Sequence, residues 1–269
     1  MIRRAPRPEL LPFVSHLWVS DAAGRRGHAA AERELVLPTG AMHVVIRIDH
    51  PLRVFDGIDA PAARTVGHAV VGGARAAPYV RDISQPVASV GAQLRSGVAE
   101  LLLGVPADEL AGRHTRLDDL WGRSADELRE RLGLAEGPER RLAMFEAALI
   151  ARLPRVRALH PAVAHALAQF ATTHDVAAVV DEVGYSHRQF ISVFRHAVGL
   201  APKLYCRVQR LQRAIADLPR RPLAEVAAAA GFADQAHLSR ELRELAGVSP
   251  GQYRALAPDA GSHVPLKKP

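Results

Sequence analysis

The spacing of apolar residues changes character once along this chain. Over residues 12–95 the apolar positions fall in short, β-branched or alternating runs: FVSHLWVS, ELVLP, MHVVIRI, LRVF and VASVGAQL. Gly, Pro and Asp separate them, which predicts short strands rather than helices. Pro38-Thr39-Gly40 predicts a turn joining two of these strands. Several short strands at close spacing predict a small antiparallel barrel or sandwich. After that the period lengthens to that of a helix, with helices predicted over 97–103, 106–111, 124–132 and 138–153. Ser124 with Glu127 predicts a capping box at the third of these. Leu142, Phe145, Leu149 and Leu153 form an apolar stripe on the fourth, suited to the core or to a contact with a neighbouring domain or subunit.

From Val176 to Arg254 one pattern occurs twice: an apolar-faced helix, a glycine turn, and a second helix ending in Gly-x-x-Pro-x-x-Tyr. The copies are offset by 47 residues at Gly184/Gly231 and by 48 at Phe190/Leu238 and Tyr205/Tyr253, so the second turn holds one extra residue. In the first copy Val176, Val179, Val180 and Val183 share one helix face, and Gly184 allows the positive φ of a sharp turn. Ser186 is the expected N-cap of the next helix, with Gln189 at the capping-box position. Phe190 and Phe194 turn inward, which leaves Arg188, Ile191, Ser192 and Arg195 outward. The second copy repeats this: Leu223, Val226, Ala227 and Ala230 form the stripe, Gly231 the turn and Asp234 the cap. Leu238 and Leu242 face inward, leaving Gln235, Ala236, Ser239, Arg240 and Arg243 outward. A doubled helix-turn-helix is a device for reading two successive major grooves of duplex DNA.

Between the copies, Leu204, Val208, Leu211, Ile215 and Leu218 recur at four- and three-residue steps behind Pro202. This predicts one continuous amphipathic helix that fixes the separation of the two reading heads. Lys203 and Arg207, with Arg210, Arg213, Arg220 and Arg221, lie on its polar side or just after it and are candidates for phosphate contact.

Charge sharpens this division. Residues 1–154 carry 20 Lys/Arg and 19 Asp/Glu, a net of +1, whereas residues 155–269 carry 15 and 9, a net of +6. The surplus lies with the repeat, which suits a polyanion partner. One cysteine, Cys206, excludes an intramolecular disulfide and a Cys-based zinc cluster, and fits a reducing compartment. The N-terminus lacks a signal-like apolar core and no 18-residue apolar run occurs, so a cytoplasmic location is expected.

On these residues, 160–257 resembles the DNA-binding domain of the AraC/XylS transcriptional regulators. GFADQAHLSRELRELAGVSPGQYR and GYSHRQFISVFRHAVGLAP carry the likeness. Two departures stand out: Leu242 replaces the family's usual phenylalanine, and Ile191 and Ser192 offer the first recognition helix no long polar side chain. Residues 8–150 resemble the β-rich sensory half of a subset of that family through ERELVLPTGAMHVVIRI and GVPADELAGRHTRLDDLWG. The resemblance implies an α+β fold: an N-terminal cupin-like barrel or sandwich with helices, then an all-α domain of two helix-turn-helix units joined by a long helix. The expected divisions are 1–154 for sensing or dimerisation, 155–257 for DNA binding, and 258–269 as a disordered tail. The expected function is that of a bacterial, sequence-specific transcription activator responsive to a small-molecule effector. Homodimerisation through the N-terminal half and contact with RNA polymerase are further expectations. The DNA-contacting set is Arg188, Ser192, Arg195, Gln235, Ser239, Arg240 and Arg243, with Lys203 and Arg207 on phosphate.

No catalytic set accompanies this. The cupin metal box needs His-x-His and a downstream Glu, and the candidate strand offers His43 alone, so no metal or other cofactor is expected. There is no nucleophile elbow, P-loop or dinucleotide fingerprint. Cys206 lacks an adjacent His or Glu to form a thiolate. The competing readings are an enzyme with a DNA-tethering half, a non-specific architectural DNA binder, and a helix-pair repeat with no DNA role. The missing chemistry counts against the first.

Overall fold

The computed structural model describes residues 1–21, 31–154, 158–256 and 261–266. Among these, the N-terminal part builds two antiparallel sheets. Strands β1 (Ile2–Arg4), β2 (Val14–Ser20), β3 (Arg33–Val36), β4 (His43–Arg47) and β5 (Leu52–Phe55) are followed by β6 (Ala63–Gly67), β7 (Ala69–Gly72), β8 (Tyr79–Asp82) and β9 (Ser89–Leu94). Later come β10 (His114–Arg116) and, at the end of the described chain, β11 (His263–Leu266). One sheet has the order β1-β2-β9-β4-β7-β10 and the other β11-β3-β8-β5-β6.

Alternation decides which face each strand buries. In β4, Val44 and Ile46 are fully buried against helices, whereas Val45 points the other way, towards Val54 and Val70 of the small cluster between the sheets. Register puts His16, Gln93, His43 and, beyond Gly72, His114 in one transverse row across the larger sheet. His43 hydrogen-bonds Gln93, and burial pushes its pKa down to about 4.

The trailing helices are α1 (Ala99–Leu103), α2 (Ala107–Leu110), α3 (Asp118–Trp121), α4 (Arg123–Leu134) and α5 (Pro138–Ile150). The stripe on α5 faces the core: Leu142, Phe145 and Leu149 are fully buried, and the helix packs on β2 and β9. One expectation fails here. Ser124 lies inside α4, whose N-cap is Gly122, and its hydroxyl donates to the Trp121 carbonyl instead of forming a capping box with Glu127. The chain turns into α4 directly out of α3, so the last turn of α3 supplies that acceptor.

The C-terminal part is helical: α6 (Pro161–Gln169), α7 (Val176–Val183), α8 (His187–Val198), α9 (Pro202–Asp217), α10 (Leu223–Ala230), α11 (Gln235–Ala246) and α12 (Pro250–Leu256). Part of the expected linker, residues 155–157, lies outside the described residues. The expected disordered tail is corrected. Residues 263–266 form β11, an antiparallel edge strand on β3, with Val264 fully buried among Leu35, Leu37 and Tyr253. Alternating apolar and polar positions in HVPL suit an edge strand, and Pro265 is tolerated there because one side of such a strand needs no amide donor. Residues 258–260 and 267–269 of that tail lie outside the described residues.

The two parts share their cores. The larger apolar cluster runs from Leu17 and Val44 through Phe145 to Phe190, Phe194 and Val208. The second joins Leu35, Leu37 and Val80 of the smaller sheet to Leu211, Leu238 and Leu242. The Pro38-Thr39-Gly40 turn joins β3 to β4 and sits on α9: Gln212 Nε2 donates to the Pro38 carbonyl at 2.8 Å and Gln209 Nε2 to the Thr39 carbonyl at 3.2 Å.

Candidate nucleic-acid interface

Both copies of the repeat fold as the same local unit. Gly184 ends α7 and Gly231 ends α10 in the left-handed region, at φ 70° and 81°, which only glycine adopts without strain. Ser186 then caps α8 with the full reciprocal box: its Oγ accepts from the Gln189 amide while Gln189 Oε1 accepts from the Ser186 amide at 3.2 Å. Asp234 caps α11 by accepting from the His237 amide at 2.6 Å. These caps set where α8 and α11 begin, and therefore which side chains their first turns present.

Beneath the first unit an aromatic cluster fixes α8. Phe190 and Phe194 lie 5.7 Å apart between ring centres, and Phe194 contacts Phe170 and Tyr205 edge-on at 5.6 Å. The second unit rests on aliphatics instead, with Leu238, Leu242, Leu211 and Val226 fully buried. Leu242 thus fills the same inward position as Phe194 without aromatic contacts.

With those faces buried, the opposite faces are open. Arg188, Ser192 and Arg195 of α8 are exposed, and Ile191 beside them is 42% exposed. On α11, Gln235, Arg240 and Arg243 are exposed; Ser239 is half-buried, its hydroxyl donating back to the Gln235 carbonyl at 2.7 Å. Lys203, at the start of α9, is also exposed. Among the described residues none of these five cations enters an ion pair.

Arg207 differs. Its guanidinium grips Glu241 of α11 through Nε at 3.0 Å and Nη2 at 2.8 Å, and reaches Glu244 at 2.7 Å. The hydrogen bonds to Glu241 hold its pKa above the usual arginine value. Arg207 is thereby committed inside the protein and is not free to meet phosphate. It ties two carboxylates of α11, Glu241 and Glu244, to α9. The other two arginines of this helix are engaged more weakly, and the buried Nε of Arg210 has no hydrogen-bond partner among the described residues. Arg213 donates to the Ala171 carbonyl at 2.8 Å, and Arg210 lies over the Phe232 ring at 5.4 Å. No sequence signal marked these pairings, because Glu241 sits 34 residues from Arg207 and reads locally as one more surface charge.

Cys206 is buried in α9, and burial pushes its thiol up to about 11, which opposes thiolate formation. Among the described residues no three His, Cys, Asp or Glu side chains cluster as metal ligands would. No helix is long and apolar enough to cross a membrane among those residues.

Comparison with known proteins matches two stretches of the chain. Residues 179–256 match a family described as a helix-turn-helix domain, and residues 2–116 match a domain of unknown function, DUF6597. No curated protein matches the sequence. Among solved structures, ToxT from Vibrio cholerae is similar at 10% identity, covering 89% of this chain and 96% of that one, with a TM-score of 0.47. The C-terminal domain of AraT, a response regulator from Geobacillus stearothermophilus, is 23% identical over 37% of this chain and 88% of its own, with a TM-score of 0.34. The xylose-binding transcription activator XylR is 21% identical over 50% of this chain and 38% of its own, with a TM-score of 0.32.

Proposed function

We propose that this chain is a DNA-binding transcription regulator of the AraC/XylS type, an effector-responsive activator that reads two successive major grooves through its two recognition helices. One observation carries the reading: two independently capped helices each turn a face of uncommitted cations to solvent, while the acids of α11 are tied down by Arg207. Arg188, Ser192 and Arg195 address one groove; Gln235, Ser239, Arg240 and Arg243 address the other. An arginine can pair bidentately with guanine and a glutamine with adenine, so this set is able to specify sequence as well as bind. Lys203 contributes a phosphate contact that positions the domain without reading bases.

Residues 1–154 serve as the sensory half and 155–257 as the DNA-binding half, working in the cytoplasm. Because the halves share two cores, a ligand or a second copy that favours one packing over another changes DNA binding by the difference in its affinity for the two states. Homodimerisation through the N-terminal half and contact with RNA polymerase complete the activator reading.

The test is a footprint of the full-length chain on sites taken from a genome-wide binding map. One monomer should protect two major-groove segments about one helical turn (~34 Å) apart, and random duplex should compete poorly. Protection of a single groove, or equal competition by random DNA, would overturn the proposal.

A further inference from the structure

Ile191 is the one large apolar side chain of the helical half that is exposed among the described residues. It belongs to none of the three apolar clusters, whereas Val193 and Ala197 of the same helix pack against the larger one. Its neighbours on the outer face of α8 are Arg188, Ser192 and Arg195. The four stand at i, i+3, i+4 and i+7, one stripe of a helix. At an exposed helix position isoleucine gives nothing to packing, and its branched side chain suits a helix slightly less well than alanine. Folding therefore gives no reason for it.

The helix beneath it is firmly seated. Phe190 and Phe194 are fully buried on the opposite face. At the C-terminal end, a side chain at Gly199 would come within 3.0 Å of the Ala107 carbonyl of α2. His196 lies 3.6 Å from both Glu100 and Asp108. Branching at Cβ leaves isoleucine one strongly preferred χ1 rotamer in a helix. A stiff side chain on a fixed helix loses little conformational entropy when a partner is placed against it.

The repeat supplies an internal comparison. At the offset of 48, Ile191 corresponds to Ser239 and Ser192 to Arg240. Ser239 is half-buried and its hydroxyl turns back to the Gln235 carbonyl. The first helix thus presents an apolar group where the second has an inward-turned hydroxyl, and a short hydroxyl where the second has a guanidinium. The flanking cations decide what covers Ile191. The centre of a protein interface is poor in charge. Here the apolar group stands between two arginines that have no ion-pair partner among the described residues. That pattern suits the major groove, where phosphates border both sides and the apolar feature of the base edges is a pyrimidine 5-methyl group.

We propose that Ile191 is a specificity-determining residue of the first reading head, packing against a pyrimidine 5-methyl group, thymine's in unmodified DNA. The two half-sites then differ in kind: the first is marked by a methyl group, the second by the hydrogen-bonding edges that Gln235 and Arg240 address. The proposal rests on the two-groove reading above.

The experiment is an anisotropy titration of the full-length chain on its operator. Each thymine of both protected segments is replaced in turn by uracil, which keeps the base pair and removes only the methyl group. At one thymine of one segment, uracil should weaken wild-type binding by about 3- to 10-fold, the loss expected for one or two buried carbon groups. Ile191→Ala should bind the unmodified operator more weakly by a similar factor and no longer tell thymine from uracil there. Ile191→Val should keep part of the discrimination. If 5-methylcytosine gains over cytosine at that position, either base can supply the methyl group; no gain assigns it to thymine. Uracil tolerated at every thymine, or discrimination undiminished in Ile191→Ala, overturns the assignment. The wild-type uracil scan decides the matter even if a variant does not fold. Specific binding and the footprint on unmodified operator are measured separately. If they hold while uracil is tolerated, the role of Ile191 alone falls; if they fail, the two-groove reading falls and this proposal with it.

Discussion

At the scale of single residues, arginines of similar appearance in the sequence take opposite roles. Arg240 is exposed one turn into α11, and among the described residues it has no ion-pair partner. Arg240→Ala should weaken operator binding by ~1–3 kcal/mol and relax preference at one base pair, while random duplex loses less. An equal loss on operator and random DNA would reduce Arg240 to a phosphate contact. Arg207, three-quarters buried, joins α9 to α11 through Glu241 and Glu244. Arg207→Ala strands a half-buried carboxylate and should lower stability by about 1–3 kcal/mol. Its salt dependence on DNA should stay as in the wild type, since no phosphate contact is removed. A salt slope reduced by about one, with unchanged urea denaturation, would return Arg207 to the DNA-contacting set.

At the scale of elements, what could be read from the sequence was what folds locally. The caps Ser186 and Asp234, the turns at Gly184 and Gly231 and the inward positions of Phe190 and Leu238 all lie within a few residues of one another, so spacing alone revealed them. Strands β2, β4, β5 and β9 were legible by alternation, whereas β8 and β10 were not. These are short, and their residues make sense only against partners elsewhere in the sheets, such as Leu35 for Val80 and Val71 for Thr115. The connecting helix was legible from its period, but its seat against the Pro38–Gly40 turn was not, because that contact spans most of the chain. The spacer role of α9 can be tested directly. Proline within a helix removes a hydrogen bond and clashes with the preceding turn, at a cost of ~3 kcal/mol or more. Ile215→Pro should therefore abolish the two-groove footprint, whereas Ile215→Ala, which loses packing but keeps the helix, should retain it. A two-groove footprint from the proline variant would mean that the units do not depend on α9 for their spacing.

At the scale of the whole molecule, the chain's last described strand returns to the sheets that begin it. The Leu37 amide donates to the Ser262 carbonyl at 2.8 Å, and the Tyr253 hydroxyl donates to the Gly261 carbonyl at 2.8 Å. Val264 closes the apolar cluster shared by the smaller sheet and the second helix-turn-helix unit. His263 Nδ1 lies 3.0 Å from Glu34 Oε2 on the strand beside it. Besides the apolar cluster they share, the second unit is therefore tied to the N-terminal half by backbone-directed hydrogen bonds at two places among the described residues, by α9 on the Pro38–Gly40 turn and by β11 on β3. Truncation after Leu256 removes the second tie, uncovers Leu35 and Leu37, and leaves β3 as an open edge. Loss of one buried valine alone corresponds to roughly 1.5–3 kcal/mol. In a protein of this size each kcal/mol lowers the melting temperature by about 2–4 °C. The truncated chain should melt several degrees lower and self-associate more readily. It should still bind its operator at low temperature, because no proposed DNA contact lies beyond Arg243. Val264→Asp should reproduce the thermal loss with the tail still present. A truncation that melts with the intact protein would mean that β11 contributes nothing to stability, leaving α9 as the tie that holds the second unit to the sheets.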